Sequence, residues 1–445
     1  MIRGIERYFE LERLGTTVRT ELLAGATTFL TMAYILVVNP SILADAGMEP
    51  EAVTAATCVA AGLGSLAMGL WARHPIALAP GMGINAYFTY AVVIGMGVPW
   101  ETALGAVFLS GVIFGVLTIS GIRQRVIAAA PRELYAAVAS GIGLFLAFIG
   151  LKNAGIIRAD PSTFVALGDL SQPAALLACG GLALIGILMA YRVRAAVLLG
   201  IVAATAVAIF TGMTEWRPGR LDFSAMTAAA FKLDVGAALS LGLADIVFVF
   251  LFVDFFDTLG TLIAVTKRAG LIDANGKIPR LGRMLAVDAS ATALGAVVGT
   301  STTTSYVESA AGVAAGGRSG LTAVTVGVLF LLALPLAPLA GMIPAAATAP
   351  ALILVGSLMM GAVREIDWED VTTSAPAFLI ILGIPLTFSI SNGLALGFLL
   401  WIVLKTATGE RLAWLSYVLA ALFLARLRMA DRTKNPHASA CGTKS

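Results

Sequence analysis

The stretch Ile246-Val-Phe-Val-Phe-Leu-Phe-Val-Asp254-Phe-Phe-Asp257-Thr-Leu-Gly-Thr261 is apolar enough to cross a membrane, yet its second half carries two carboxylates. A charged side chain at bilayer depth costs roughly 2.5 to 3.5 kcal/mol on insertion scales, so it requires a partner or a function. Asp254 and Asp257 are three residues apart, which places them on one face of a helix. We therefore predict a membrane helix whose acidic face points into a polar cavity.

The whole sequence has the composition of a polytopic membrane protein. Hydrophobic residues make up 59% of its 445 residues and charged residues only 12%, against about 25% charged in an ordinary soluble domain. Apolar runs long enough to cross a bilayer recur through most of the chain. The net charge of +3 and the absence of a basic, aromatic-rich cluster argue against a nucleic-acid partner. The three cysteines lack the spacing of metal ligands, and we expect neither a metal nor a cofactor.

Hydropathy predicts an all-α fold of fourteen membrane segments, seven on each side of the polar loop Met213–Asp234. Because seven is odd, the second half would run inverted relative to the first, as in many secondary transporters. Of the 29 lysines and arginines, only five fall in predicted outer loops: Lys152, Arg158, Arg217, Arg220 and Lys232. This distribution predicts that both termini are cytoplasmic. The apolar stretch Leu412–Ala425 fits an interfacial helix, which we favour, or an additional span.

The third segment of each half is preceded by backbone that does not read as helix. In the first half, Pro75, Pro80 and neighbouring glycines oppose a continuous helix, and residues 76–79 could form a short strand. In the second half, the hydroxyl-rich run 300–305 favours extended backbone followed by a helix start. Interrupted backbone is tolerated at membrane depth only where it is buried in protein or lines a cavity. A pair of such interruptions is the best sequence pointer to a transporter's binding site.

Several polar residues lie where they could line that cavity. Asn85 and Glu308 lie at the two half-helix N-termini, which offer unpaired N–H groups and a positive dipole end. Thr31 shares a helix face with Thr28 and Tyr34, and such residues either line a cavity or pack helices together. Asp288 follows soon after Arg280 and Arg283, and we expect it to be an ion-pair partner at the inner membrane surface.

Four motifs in order resemble the signatures of one family, the hypoxanthine/guanine/adenine permease branch of the nucleobase–cation symporter superfamily. They are residues 24–35, 79–88, 252–261 and 303–312. The resemblance runs over nearly the whole chain, from about Gly15 to Lys405.

The resemblance implies a fourteen-segment inverted fold, with a short extended strand before half-helix 3 and another before half-helix 10. It further implies a core domain of segments 1–4 and 8–11 and a gate domain of segments 5–7 and 12–14. The predicted boundaries are a cytoplasmic segment 1–19, core parts 20–132 and 237–340, gate parts 133–212 and 341–407, an extracellular linker 213–236 and a cytoplasmic tail 408–445. The gate domain also offers a surface for a homodimer.

For function, the resemblance implies proton-coupled uptake of guanine, hypoxanthine or adenine across the cytoplasmic membrane by alternating access. Asp254, Glu308 and Asn85 would contact the base, and Asp257 would couple the proton together with Glu308. We add Thr31 and Thr304 as further substrate-binding candidates.

The chemistry of a purine fits these residue types independently of the resemblance. A purine base is flat and uncharged, with N–H groups along one edge. A carboxylate can accept two such bonds side by side, and an asparagine side chain offers both a donor and an acceptor.

The sequence also allows three alternative functions to be weighed: transport of another substrate, an intramembrane protease and a channel. The same fold could carry uracil, xanthine or an inorganic anion, although an anion site would avoid opposing carboxylates. An intramembrane aspartyl protease would need a Gly-x-Gly-Asp sequence, which is absent. A channel is not excluded by the interrupted segments alone. No phosphate-binding loop of the Walker type is present, so we expect no drive by ATP.

Overall fold

The computed structural model of the chain describes residues 2–120, 132–215, 222–240, 244–273 and 277–410, with eight further positions between 412 and 424. These residues are almost entirely helical. The first-half elements are α1 Ile2–Tyr8, α2 Val18–Met32, α3 Ile35–Ala44, α4 Pro50–Ala67, a π-helical turn Met68–Ala72, β1 Leu78–Pro80, α5 Met82–Ala86, a π-helical stretch Tyr87–Gly95, α6 Trp100–Ser120, α7 Arg132–Asn153, β2 Ile157–Asp160, β3 Phe164–Leu167, α8 Pro173–Ala190 and α9 Ala196–Phe210.

The second half begins with two short helices from the linker region. Its elements are α10 Phe223–Met226, α11 Val235–Ser240, α12 Ala244–Arg268, α13 Leu281–Val298, β4 Thr303–Ser305, α14 Ser309–Ala314, α15 Gly320–Leu332, a 3₁₀ helix Leu334–Met342, α16 Ala345–Met359, a 3₁₀ turn Met360–Glu365, α17 Val371–Thr387 and α18 Ile390–Ala407.

Among the described residues, nine helices are long and apolar enough to cross a membrane. The pair Gly320–Leu332 and Leu334–Met342, bent by 59°, makes a tenth. Three shorter apolar helices are Met82–Gly95, Ala196–Phe210 and Val371–Thr387. The prediction of a multi-pass helical membrane protein is confirmed, whereas the count of fourteen segments stays a prediction.

Helix starts follow the capping chemistry of the sequence. The Thr17 hydroxyl accepts from Thr20 N at the start of α2, and Ser319 does the same for Leu321 N at the start of α15, each at 3.2 Å. The Asp370 carboxylate accepts from Thr372 N at 2.9 Å at the start of α17. Each contact satisfies a backbone N–H group that the first helical turn leaves without a partner.

The chain forms two compact units. One consists of Met1–Ser120 and Leu146–Val355, and the other of Gly121–Phe145 and Gly356–Ser445. Their boundaries differ from those of the predicted core and gate domains, because most of the predicted gate parts lie in the first unit. The division into core and gate stays a prediction.

In the first unit, α4 and the π-helical turn that follows it approach α15 closely through glycines. A Cβ atom on Gly69 would overlap the Gly320 carbonyl oxygen and lie 2.7 Å from a Val324 methyl group. A Cβ atom on Gly62 of α4 would likewise lie 2.7 Å from the Leu331 side chain of α15. Small residues let membrane helices pack backbone to backbone, which replaces the hydrophobic effect that lipid cannot provide.

The N-terminal segment of the first unit is tied to the ends of two membrane helices. The Glu10 carboxylate accepts from Arg280 at 2.9 Å, just before α13, and from Arg13 at 2.5 Å. The Arg280 hydrogen bond holds the pKa of Glu10 below its ordinary value of 4.5. Tyr8 donates its hydroxyl to Leu70 O at 2.7 Å near the end of α4. These contacts link elements from both halves of the chain.

In the second unit, the described positions beyond residue 411 follow α18. The Phe423 ring, 1% exposed, lies 5.5 Å from the Phe398 ring near the middle of that helix. The Tyr417 hydroxyl lies 3.2 Å from the Thr406 hydroxyl near its end. These two contacts place the described positions beside α18, and the choice between an interfacial helix and an additional span stays a prediction.

Candidate substrate site

Two short strands meet in the first unit and precede the two predicted half-helices. β1 pairs antiparallel with β4, with Leu78 opposite Ser305 and Pro80 opposite Thr303, and all six residues are buried. Two further backbone bonds extend the pairing, Gly81 N to Thr302 O and Tyr306 N to Ala77 O, each 2.9 Å. The strands therefore satisfy the backbone that the breaks leave unpaired. The expectation of extended strands before segments 3 and 10 is confirmed.

Glu308 occupies the N-cap position of α14, at the N-terminus of the half-helix as predicted, and the residue is half-buried; its side chain makes no capping hydrogen bond. Its Oε1 accepts a hydrogen bond from the Tyr34 hydroxyl at 2.7 Å. Tyr34 lies in the two-residue turn Ala33–Tyr34 between α2 and α3, within the continuous apolar span Val18–Ala44. A residue from the first segment thus reaches a carboxylate 274 positions later.

Asp254 lies on α12 and is only 1% exposed. Its Oδ2 lies 3.1 Å from the Thr292 hydroxyl of α13, which also lies 2.9 Å from Thr303 O in β4. Its Oδ1 is buried and has no hydrogen-bond partner within the part of the chain that the structure describes. A buried carboxyl oxygen without a partner is costly, so this oxygen is suited to a ligand or a proton.

Asp257, one turn after Asp254 on α12, has an exposed side chain. The predicted acidic face of this helix is therefore divided, with one carboxylate inside the protein and the other open to its surroundings. Between them in the fold, the Thr304 hydroxyl of β4 lies 2.8 Å from the Thr258 hydroxyl of α12. Thr304 is 1% exposed, so its contact with Thr258 fixes the strand to the acidic helix.

Asp288 is not the ion-pair partner at the inner membrane surface that we expected. It is fully buried on α13. Its Oδ1 accepts from Ser305 N at 2.9 Å and from the Ser305 hydroxyl at 2.8 Å, and its Oδ2 accepts from the Thr258 hydroxyl at 2.6 Å. The side chain thus holds β4 to α12. Its position in an apolar segment was the available signal, and the nearby arginines misled the prediction.

Asn85 lies in a buried amide network. Its side chain is fully buried; its Nδ2 donates to Asn39 Oδ1, and its Oδ1 accepts from the Ser301 hydroxyl. Asn39 in turn donates to Thr57 at 2.7 Å and to Thr300 at 2.9 Å. The network joins segments of both halves behind the strands. Asn39 was not among the candidate residues, although an asparagine within the apolar run 35–43 is a signal for it.

Thr31 is partly exposed, but its hydroxyl donates within its own helix, to Thr28 O at 2.7 Å and Thr27 O at 3.3 Å. Its oxygen can still accept. The structure thus joins Asp254, Thr304 and Asp288 through hydroxyl side chains, places Glu308 with Tyr34, and leaves Asn85 in a separate network.

Comparison with known proteins gives the family context. A family model described as the permease family, Xan_ur_permease, matches residues 19–396. The adenine permease AdeQ of Escherichia coli is 46% identical over 96% of this chain and 97% of its own length. The guanine/hypoxanthine permease PbuO of Bacillus subtilis is 45% identical over 94% and 99%. A putative permease of Methanocaldococcus jannaschii, MJ0326, is 50% identical over 96% and 98%.

Solved structures support the fold at much lower identity. The transmembrane domain of the cyanobacterial bicarbonate transporter BicA superposes with a TM-score of 0.62 at 17% identity, covering 85% of this chain and 96% of that chain. The structure of SLC26A9 gives 0.61 at 10% identity, covering 88% and 66%. These likenesses support a shared transporter fold. From the family model and the three relatives, this multi-pass membrane protein belongs to the nucleobase–cation symporter family, on the branch of the adenine and guanine/hypoxanthine permeases.

Proposed function

We propose that the protein takes up purine nucleobases across the cytoplasmic membrane by proton symport with alternating access. The observation that carries the proposal is the unpartnered Oδ1 of the buried Asp254, next to the paired strands that precede two half-helices. An uncharged base whose edge presents N–H groups supplies the donor that this oxygen lacks. The names of the adenine and guanine/hypoxanthine permease relatives support the same substrate class.

Each candidate then has a role that its surroundings support. Glu308, with Oε1 held by Tyr34, offers its other oxygen to a ring N–H of the base. Asp254 accepts a second N–H, and Thr304 and Thr31 contribute hydroxyl oxygens at the margin. Asn85 acts indirectly in this proposal, because its amide is already bonded to Asn39 and Ser301. Its contribution is to hold the backbone around the base.

Proton coupling is assigned to Asp257 together with Glu308. The exposed side chain of Asp257 can exchange protons with water, whereas Asp254 on the same helix is sealed from it. Uptake of a proton near a bound base neutralises acidic groups that would otherwise be costly to carry across the membrane. Proton and substrate would therefore travel together, without a cofactor.

The second candidate function is transport of another nucleobase, such as uracil or xanthine, or of an anion. The fold alone allows it, because the bicarbonate transporter BicA shares that fold. The carboxylates of Asp254 and Glu308 disfavour a bound anion, since like charges at close range in a low dielectric repel strongly.

Uptake of radiolabelled adenine, guanine and hypoxanthine into cells lacking their own purine permeases tests the proposal. We expect accumulation that a protonophore abolishes, with competition by unlabelled purines but not by uracil or bicarbonate. Glu308→Gln and Asp254→Asn should each abolish uptake at unchanged membrane abundance. A matched control is Asp160→Asn in the β2–β3 turn, whose carboxylate accepts from Ser162 N at 2.8 Å far along the chain from the site. Normal purine uptake by either site variant would refute the site.

The coupling role has its own test. In Asp257→Asn, equilibrium binding of purine should be kept, while uphill accumulation and its dependence on external pH should be lost. This coupling is measured directly in proteoliposomes as the proton flux that added purine drives, with a pH-sensitive dye as the reporter. An unchanged pH dependence of uptake would assign Asp257 a structural role.

We propose further that both termini face the cytoplasm and that the gate domain forms a homodimer surface. The distribution of lysines and arginines supports the first proposal. Reporter fusions that are active only on one side of the membrane, placed at each terminus, test the orientation. Cross-linking between single cysteines placed in the predicted gate segments tests the dimer.

A further inference from the structure

We infer that Tyr34 is a positioning residue that fixes the Glu308 carboxylate for the substrate, so that a single oxygen is presented to the base. This inference rests on the proposed function, because it concerns the same site. Tyr34 belongs to segment 1, whereas Glu308 lies at the N-terminus of the half-helix α14 of the second half. The pair therefore joins the two halves of the chain at the proposed substrate.

The turn between α2 and α3 carries the tyrosine. α2 ends at Met32 and α3 begins at Ile35, with Ala33 and Tyr34 between them. Within α3, Pro40 has no N–H to donate, and the Leu36 carbonyl lies 3.4 Å from the Thr54 hydroxyl of α4. The side chain of Tyr34 is 3% exposed, which for a membrane protein means that it faces protein and not lipid.

The hydroxyl has one evident partner. It donates to Glu308 Oε1 at 2.7 Å, a distance typical of a charge-assisted hydrogen bond. Tyr34 is the one side chain in the described part of the chain found to donate to Glu308. Glu308 itself is half-buried, so its Oε1 is occupied while the remainder of the carboxylate stays accessible. A carboxylate held in this way accepts a base N–H in one orientation only.

The helix that ends just before Tyr34 and the helix that begins just after Glu308 are closely packed against each other. A Cβ atom on Gly312 of α14 would lie 2.7 Å from the Ala24 carbonyl oxygen and would overlap the Thr28 hydroxyl of α2. Directly after β4 and two residues before Glu308, the Tyr306 hydroxyl donates to Pro80 O and fixes the end of the strand. The backbone around Glu308 is thus held independently of Tyr34. Loss of the Tyr34 hydroxyl should therefore free the carboxylate without displacing the helix.

The test is a double-mutant cycle on purine binding with Tyr34→Phe, Glu308→Gln and both together. We expect Tyr34→Phe to weaken binding about tenfold, the size expected for one hydrogen bond to a charged group. Turnover at saturating substrate should be kept. In the Glu308→Gln background, the second change should have little further effect, because Tyr34 acts through Glu308. Equal effects of Tyr34→Phe in both backgrounds, or unchanged binding, would overturn the inference.

A matched control and a second readout keep the result interpretable. Tyr90→Phe removes another buried tyrosine hydroxyl that donates to a carboxylate, Asp45 at 2.6 Å, away from Glu308, and should leave purine affinity unchanged. Labelling of Glu308 by a hydrophobic carbodiimide, followed by mass spectrometry, needs no substrate. It should be faster in Tyr34→Phe, because Oε1 is no longer covered, and equal labelling rates would also overturn the inference. If the wild-type protein binds no purine but labelling accelerates, the proposed function fails while the positioning role stands.

Discussion

Asp288 gives the sharpest prediction about stability, because its surroundings specify what each replacement loses. The carboxylate is fully buried and accepts three hydrogen bonds, two from Ser305 of β4 and one from Thr258 of α12. Replacement by alanine leaves the Ser305 N–H without an acceptor in a strand that cannot move away. Replacement by asparagine keeps the shape of the side chain and removes the charge.

The expected magnitudes follow from these contacts. In Asp288→Ala, stranding buried donors and opening a cavity should lower the free energy of unfolding by about 3 to 5 kcal/mol. In Asp288→Asn, Oδ1 can still accept from Ser305, and the new amide can donate to Thr258, whose own proton then turns toward Thr304. Only the charge assistance is lost, so we expect a decrease of about 1 to 2 kcal/mol.

The assay is equilibrium unfolding of the purified protein in mixed micelles, driven by a denaturing detergent and followed by tryptophan fluorescence. Asp160→Asn is the control, because Asp160 also accepts three hydrogen bonds, from Ser162 and Thr163, but in an exposed turn. The Ser162 N–H group lowers the pKa of Asp160, yet water replaces such bonds at little cost. An Asp288→Ala protein as stable as the wild type, or no difference between the two Asp288 variants, would refute the reasoning.

Three further predictions concern other parts of the fold. The folded-state pKa of Glu10 is lowered, mainly by Arg280, so the carboxylate stabilises the fold above pH 4.5 and this contribution disappears as the pH falls below that value. In acid unfolding titrations, the stability difference between wild type and Glu10→Gln should therefore shrink as the pH falls below 4.5. Gly69→Leu, in the π-helical turn after α4, should push this turn away from α15 at a cost of about 1 to 3 kcal/mol, seen as loss of a monodisperse peak in size-exclusion chromatography, whereas Gly186→Leu, at an open position, should be tolerated. Asn85→Ala should lower the melting temperature as well as purine affinity, because it breaks the buried amide network; a loss of affinity at unchanged stability would instead favour direct contact with the base.

Local sequence signals predicted the interruptions correctly. Pro75 and Pro80 cannot donate backbone hydrogen bonds, and the hydroxyl-rich run before Ser305 favours extension, so the strands and the short helices after them were expected. The two-residue turn at Ala33 and Tyr34 had no such signal, because it contains neither glycine nor proline and Pro40 lies further on, within α3.

For the acidic helix α12, the sequence pattern predicts which residues share a face but not the direction in which that face points. Helical periodicity places Asp254 and Asp257 on neighbouring positions of one face, but the rotation of α12 about its axis is set by its neighbours. That rotation buries Asp254 against Thr292 and leaves Asp257 exposed. Asp288 was misjudged for the same reason, since its nearest charges along the chain are not its neighbours in space.

The sequence by itself determined that the chain crosses a membrane many times, where its helices are interrupted, and which acids lie at bilayer depth. These properties follow from hydropathy, from backbone chemistry and from the cost of burying charge, all of which are local. Only the tertiary structure decided that Tyr34 reaches Glu308 and that Asn85 bonds Ser301 across more than 200 residues. Such pairs depend on the rotation and approach of whole helices, which close packing of all their neighbours fixes together and no single segment encodes.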